Sequence, residues 1–211
     1  LIVLAIDTCL DACAAAVWAD GRTLAARSEP MRRGHQERLG GLVSELMAEA
    51  ATDFAQLDRV GVTVGPGSFT GLRVGLAFAK GVGVALDRPV VGVGVLEALA
   101  ADQPDDVVAA VVAGPREQVY LQIFAGGRPL MSPDCLPVET AAARLAEFAN
   151  GRGLALVGSG APAIAAAAPG ARIAPRTTPD PATVARLAAA APALGMPRPL
   201  YLRAPDARPG A

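Results

Sequence analysis

Gly65-Pro66-Gly67-Ser68-Phe69-Thr70-Gly71-Leu72-Arg73-Val74-Gly75 joins two stretches of different periodicity. Before it, Val60–Val64 is a short, continuous apolar run, the pattern of a buried strand. After it, a helical pattern runs over 70–86. Gly65 and Gly67 permit backbone angles closed to other residues. Ser68 or Thr70 can cap the helix through its hydroxyl. The N–H groups at such a helix start can hold an anion. The same glycines also suit a tight turn that lets two backbones approach, and both readings of the loop stand at this level.

The rest of the chain extends this strand–turn–helix unit. Upstream, Leu1–Ile6 reads as a buried strand rather than a leader, and Cys13–Ala19 and Arg22–Ser28 flank Asp20-Gly21, a strong hairpin signal. Leu39, Leu42, Val43, Leu46, Met47 and Ala50 recur on one face of a helix over 35–51. Downstream, Pro89–Val93 is a further strand. The order is βββαβα, then a strand. The second half repeats it more weakly. Val107–Val112 is a strand, Val119–Phe124 and Arg128–Met131 form a hairpin about Gly126-Gly127, and Glu139–Asn150 is a helix. Leu154–Val157 is a strand leading to a short helix, followed by Arg172–Ala174 and a helix near Ala182–Ala191. This predicts an α/β fold of duplicated βββαβα units, with subdomains 1–102 and 103–211, the second ending in a proline-rich tail.

Among 211 residues, 52% are hydrophobic and 18% charged, which excludes disorder as the main state. The longest apolar runs are interrupted before the roughly 20 residues that a bilayer needs. Three cysteines without a paired CxxC, Cys9, Cys13 and Cys135, predict reduced thiols and a cytoplasmic location. The net charge of −1 hides an asymmetry: residues 151–211 hold seven Arg and two acids, so the first 150 carry the acidic excess. The arginines either lie on the acidic half of their own chain or offer a basic surface to RNA or an acidic partner. No aromatic residue interleaves them as a stacking platform would require.

Two helix surfaces suggest a partner. Opposite its apolar stripe, the helix over 35–51 presents Gly41, Ser44, Ala48 and Ala51, with Glu37 at one end. Small residues at this spacing permit close helix pairing. On the helix over 70–86, Gly71, Gly75 and Ala79 form a second small-residue ridge, and the only charges, Arg73 and Lys80, share a face. A helix this apolar must be covered nearly all round. His35, Gly41, Ser44, Ala48, Arg73, Gly75 and Lys80 are therefore the expected interface residues.

The loop, Gly65, Pro66, Gly67, Ser68, Phe69, Thr70, Gly71 and onward, closely resembles the GPGSFTGxRxG segment of the bacterial TsaB (YeaZ) family. The opening Ile2-Val3-Leu4-Ala5-Ile6-Asp7-Thr8, His35 before its helix, and Pro199-Leu200-Tyr201-Leu202-Arg203 also resemble that family. The resemblance runs from residue 2 to about 203 and thins between 105 and 195. It implies an actin-like, Hsp70-like ATPase (ASKHA) fold. It implies a dimerising, non-catalytic subunit that activates a TsaD-type catalytic subunit, with a TsaE-type ATPase, to make threonylcarbamoyladenosine at position 37 of ANN-decoding tRNAs. It also implies that the first two helices pair with TsaD and with a second copy, and that tRNA is met only through the complex. The sequence departs from the family at Ala113-Gly114-Pro115-Arg116, where relatives carry an Asp-Ala-Arg type stretch.

The catalytic relative holds a metal with two histidines at i, i+4, whereas this chain has one histidine, His35. No cofactor is expected, apart from a nucleotide at a complex interface. Thr8-Cys9-Leu10-Asp11 lacks the glycine of a phosphate-wrapping turn, and Asp11 would repel a phosphate. The alternatives are a glycoprotease-like peptidase, disfavoured by the single histidine, and a free-standing ATP-binding regulator.

Overall fold

The computed structural model describes residues 1–148 and 153–203. The first sheet is ordered β3-β2-β1-β4-β5, from β1 (Ile2–Asp7), β2 (Ala12–Ala19), β3 (Arg22–Pro30), β4 (Arg59–Thr63) and β5 (Val90–Val93). The hairpin strands β1, β2 and β3 run antiparallel, and β4 and β5 continue parallel to β1. The second sheet is ordered β11-β10-β6-β7-β8, with β6 at Val107–Ala113, β7 at Gln118–Ala125, β8 at Arg128–Pro129, β10 at Leu154–Val157 and β11 at Arg172–Ile173. Its β6 and β7 are antiparallel, and β10 and β11 run parallel to β6. Both sheets thus have the same order and the same senses. This is the duplicated α/β fold that the element order predicts, and it agrees with the actin-like fold that the family resemblance implies.

Helices α1 (His35–Glu49) and α2 (Phe69–Leu86) lie side by side on one face of the first sheet. Leu4 and Ile6 of β1 point to that side, into a core with Leu39, Leu42, Leu46, Leu72 and Leu76. Val3 and Ala5 alternate to the other side. There they meet Val184, Ala185 and Ala188 of α6 (Pro181–Ala190). Burial on both faces explains why β1 reads as an unbroken apolar run. Gly61 on β4 permits the close approach of α6, since a Cβ there would lie 2.5 Å from the Ala188 Cβ. The last helix therefore crosses back from the second sheet to cover the first.

Several expectations are corrected. The α2 helix starts at Phe69, capped by Ser68, whose hydroxyl accepts from Gly71 N. The first helix stops at Glu49, and Ala51 turns away at φ +47°. The strand expected over 128–131 is only two residues long. The next piece, β9 (Asp134–Pro137), pairs with β7 separately. Pro129 and Pro133 lack the N–H that a continuous ladder would need. A six-residue helix, α3 (Val95–Ala100), was invisible to periodicity because it makes fewer than two turns. The helix expected over 139–150 is α4 (Val138–Phe148), with Asn150 outside the described residues. The short helix after β10 is α5 (Ala161–Ile164).

Candidate partner interface and the loop that frames it

The glycine-rich loop is pressed against the end of β1. Ser68 N donates to the Cys9 carbonyl (2.7 Å), and the Thr8 hydroxyl donates to the Gly71 carbonyl (2.7 Å). A Cβ on Gly67 would collide with the Cys9 carbonyl oxygen, and one on Gly71 with that of Thr8. Of the two readings of the loop, close backbone approach accounts for these glycines.

The loop seals Asp7. This carboxylate is fully buried; its Oδ1 accepts from the Thr63 hydroxyl (2.6 Å) and from Cys9 N (3.0 Å), while Oδ2 has no partner. Burial pushes the Asp7 carboxyl above its ordinary range, against the opposing pull of the Thr63 hydrogen bond. Burial also raises the Cys9 thiol, and it pushes Cys13 up to about 11. These thiols stay protonated at neutral pH and are poor nucleophiles.

Two sequence stretches far apart in the chain meet on the outside of the loop. Leu200 N donates to the Val64 carbonyl (2.7 Å), placing Tyr201 beside α2. The Arg73 guanidinium lies 3.5 Å from the Phe69 ring centre and its Nε donates to the Tyr201 hydroxyl (3.1 Å). The rings of Phe69 and Tyr201 are 5.6 Å apart. Arg73 is thus exposed, yet engaged with its own chain. Sequence reasoning marked both stretches but not their contact. It also missed Thr63, which carries no local signal of its bond to Asp7.

The expected interface residues separate into two groups. On α1, Gly41, Ser44 and Ala48 are exposed, as is Ala51 beyond it. Gly40 faces Phe78 of α2. Lys80 is half-buried, with no ion-pair partner among the described residues. Gly75 is corrected: the Gly71–Gly75–Ala79 ridge faces inward, and a Gly75 Cβ would meet the Thr8 hydroxyl. His35 is corrected too, being only 7% exposed, with its Nε2 unpartnered. The outer side of α2 instead carries Phe69, Ala77, Gly81 and Val84, the last 71% exposed. Among the described residues α2 is the one helix long and apolar enough to cross a membrane by length and composition. Its inner ridge nevertheless packs on the sheet, which leaves the outer apolar face to explain.

Between the two sheets lies a cavity of about 560 Å³, lined by Leu10, Asp11, Arg32, Tyr120 and Ser159 among others. Ala113 and Pro115, from the stretch that departs from the family pattern, also line it. Asp11 is paired with Arg32 at 3.1 Å, so its charge is offset rather than free to repel an anion. Of the C-terminal arginines, Arg172 pairs with Asp105 and Arg186 with Asp102, both acids of the first 150 residues. Arg176 pairs with Asp180, and Arg152 and Arg208 lie outside the described residues.

A family model described as "TsaD: tRNA N6-adenosine threonylcarbamoyltransferase" matches residues 28–146. The chain is similar to the tRNA threonylcarbamoyladenosine biosynthesis protein TsaB of Escherichia coli, with 36% identity over 98 residues, 46% of this chain and 42% of that protein. The match thus spans less than half of that relative. An uncharacterized protein of Mycobacterium tuberculosis is 37% identical over 212 residues, covering 98% of this chain and 94% of its own. A Pseudomonas aeruginosa structure, described as having similarity to the peptidase YEAZ, superposes with a TM-score of 0.84 at 28% identity, covering 96% of this chain and 99% of that one. The chain belongs to the TsaB family. In this chain the loop, the β1 end and the Pro199–Arg203 segment form one continuous structural unit beside α1 and α2.

Proposed function

We propose that this TsaB-family chain is a non-catalytic subunit that uses the outer surface of α1 and α2 to pair with a TsaD-type catalytic subunit. The observation that carries this reading is the α2 surface. Its small-residue ridge is spent on its own sheet, yet its opposite side still exposes Phe69, Ala77, Gly81 and Val84. Beside it, α1 exposes Gly41, Ser44 and Ala48. An exposed apolar patch rimmed by polar residues is the usual mark of a protein contact. The family relationship supports the rest of the reading: the pair, joined by a TsaE-type ATPase, adds threonylcarbamoyl to adenosine 37 of ANN-decoding tRNAs in the cytoplasm. In this reading tRNA is met only through the complex, and the same surface forms a homodimer when the chain is alone.

The test is co-purification with a TsaD homologue, followed by an assay of tRNA modification with and without this chain. Ala48→Arg places a charge on an exposed helical position and should leave the fold intact while abolishing both associations. Sedimentation velocity reads the homodimer, and pull-down reads the hetero-pair. A wild-type chain that leaves tRNA modification by the TsaD homologue unchanged would remove the functional reading. An Ala48→Arg variant that still pairs would remove the surface.

A further inference from the structure

A second cavity, about 330 Å³, opens where α1 and α2 begin. Arg32, Arg33, His35, Glu37, Ser68 and Thr70 line it. Two helix starts therefore face one space. The α1 helix, 15 residues long, begins behind Gly34 with no side-chain cap. The α2 helix, 18 residues long, begins behind Ser68, whose hydroxyl is committed to Gly71 N (3.3 Å). The first N–H groups of each helix lack intrahelical acceptors, and both ends carry partial positive charge.

Three further features point to an anion. His35 lines the cavity while being only 7% exposed, and its Nε2 is buried without a hydrogen-bond partner. Arg33 has no ion-pair partner among the described residues. Arg32 also reaches the cavity, sharing its charge with exposed Asp11. Two carboxylates oppose them. Glu37 accepts from the Gln36 side-chain amide (3.0 Å), and Asp7 is close enough to His35 for their charges to interact. Asp7 lies behind the cavity wall, and among the described residues Glu37 is the one carboxylate that lines the space.

We propose that this cavity binds a phosphoryl-type oxyanion. Arg33 and Arg32 supply the positive charge. The helix-start N–H groups and the Thr70 hydroxyl supply donors, and His35 closes the floor. A helix start with clustered arginines favours such a group through aligned dipoles and charge-assisted hydrogen bonds. The source is either free phosphate or the terminal phosphate of a nucleotide. The proposal does not rest on the partner reading, because the isolated chain tests it.

His35 is the only histidine, so its ring signals in the nuclear magnetic resonance spectrum of the full chain are unique. The chain is titrated with inorganic phosphate and, separately, with ADP, against sodium chloride at matched ionic strength. Either ligand should move the His35 ring resonances saturably, with a Kd of about 1 mM or tighter. Arg33→Ala should raise that Kd about tenfold or more, and Glu37→Gln should lower it. Phosphate binding as tightly as ADP identifies the free ion as the source, and tighter binding of ADP identifies the nucleotide. Circular dichroism checks the fold of each variant, and both positions are exposed. The proposal fails if neither ligand saturates the shift by about 10 mM, or if Arg33→Ala binds as wild type does.

Discussion

Lys80 is the one lysine among 19 basic residues, and it sits half-buried on the apolar helix α2 without an ion-pair partner among the described residues. An ammonium is a compact point charge on a flexible stem, whereas guanidinium is planar and bulkier. On the proposed interface it would meet a carboxylate or carbonyl of the partner. Lys80→Ala is then expected to weaken the hetero-pair by about 2–5 kcal/mol, against about 0–1 kcal/mol for a solvated lysine. Affinity for the TsaD homologue decides between these values, and Lys80→Arg separates charge from shape. Arg38 gives a second test at this scale. It bonds Glu29 through Nε and Nη2, both at 2.7 Å, and Glu45 through Nη1 at 2.6 Å. The hydrogen bond from Arg38 holds the Glu45 carboxyl at about 2, below its ordinary 4.5. A depressed folded-state pKa means the stabilisation is present above pH 4.5 and is lost as pH falls toward 2. In Arg38→Ala the Glu45 titration should return toward its ordinary range, and acid unfolding should begin at higher pH. A carboxyl titration by nuclear magnetic resonance and a pH-unfolding curve check both outcomes.

Helix α2 holds glycines of opposite meaning. A Cβ on Gly75 would press on the Thr8 hydroxyl, whereas one on Gly81 would meet nothing within 4 Å. Gly75→Ala is therefore expected to destabilise the fold by about 1–3 kcal/mol through overpacking. Gly81→Ala should stabilise it by about 0.5–1 kcal/mol, since alanine restricts the unfolded chain and favours the helix. Urea unfolding of both variants measures the difference, and equal effects would contradict the packing described for the inner ridge. In sequence the two positions look alike, each a glycine within a helical pattern. The helix itself and its excess of apolar residues were legible. The direction of each small residue was not, because it depends on where β1 and Thr8 lie.

Across the whole molecule, α6 ties the two ends of the chain together. The proposed division into 1–102 and 103–211 follows the two sheets, with α6 crossing it. Asp102 bonds both Thr183 and Arg186 at that crossing. On β4, the Arg59 guanidinium donates to the carbonyls of Ala188 (2.8 Å), Ala189 (3.3 Å) and Ala191 (2.8 Å), at the C-terminal end of α6. A cation there complements the helix dipole and occupies the last free carbonyls. Arg59→Met keeps the aliphatic stem and removes these bonds, so it should cost about 1.5–3 kcal/mol in urea unfolding. A loss near zero would mean that apolar packing alone holds α6 on the first sheet.

The order of strands and helices, apart from α3 and β9, followed from the sequence alone, because periodicities of two and 3.6 residues are local properties of the chain. So did the family resemblance, carried by the loop, the first strand and the Pro199–Arg203 stretch. Duplication was also legible, although Pro129 and Pro133 broke its third strand in the second half. Tertiary structure alone decided what those motifs do. It placed Tyr201 against Arg73 and Phe69, across 128 residues of sequence. It turned Gly71 and Gly75 inward, and it buried His35 where the helix start suggested exposure. It also returned α6 to the first sheet. Each of these is a long-range contact, and a long-range contact is fixed by which surfaces remain uncovered once the two sheets have formed. In this fold those surfaces were the second face of β1, the outside of the glycine loop, and the space between the starts of α1 and α2.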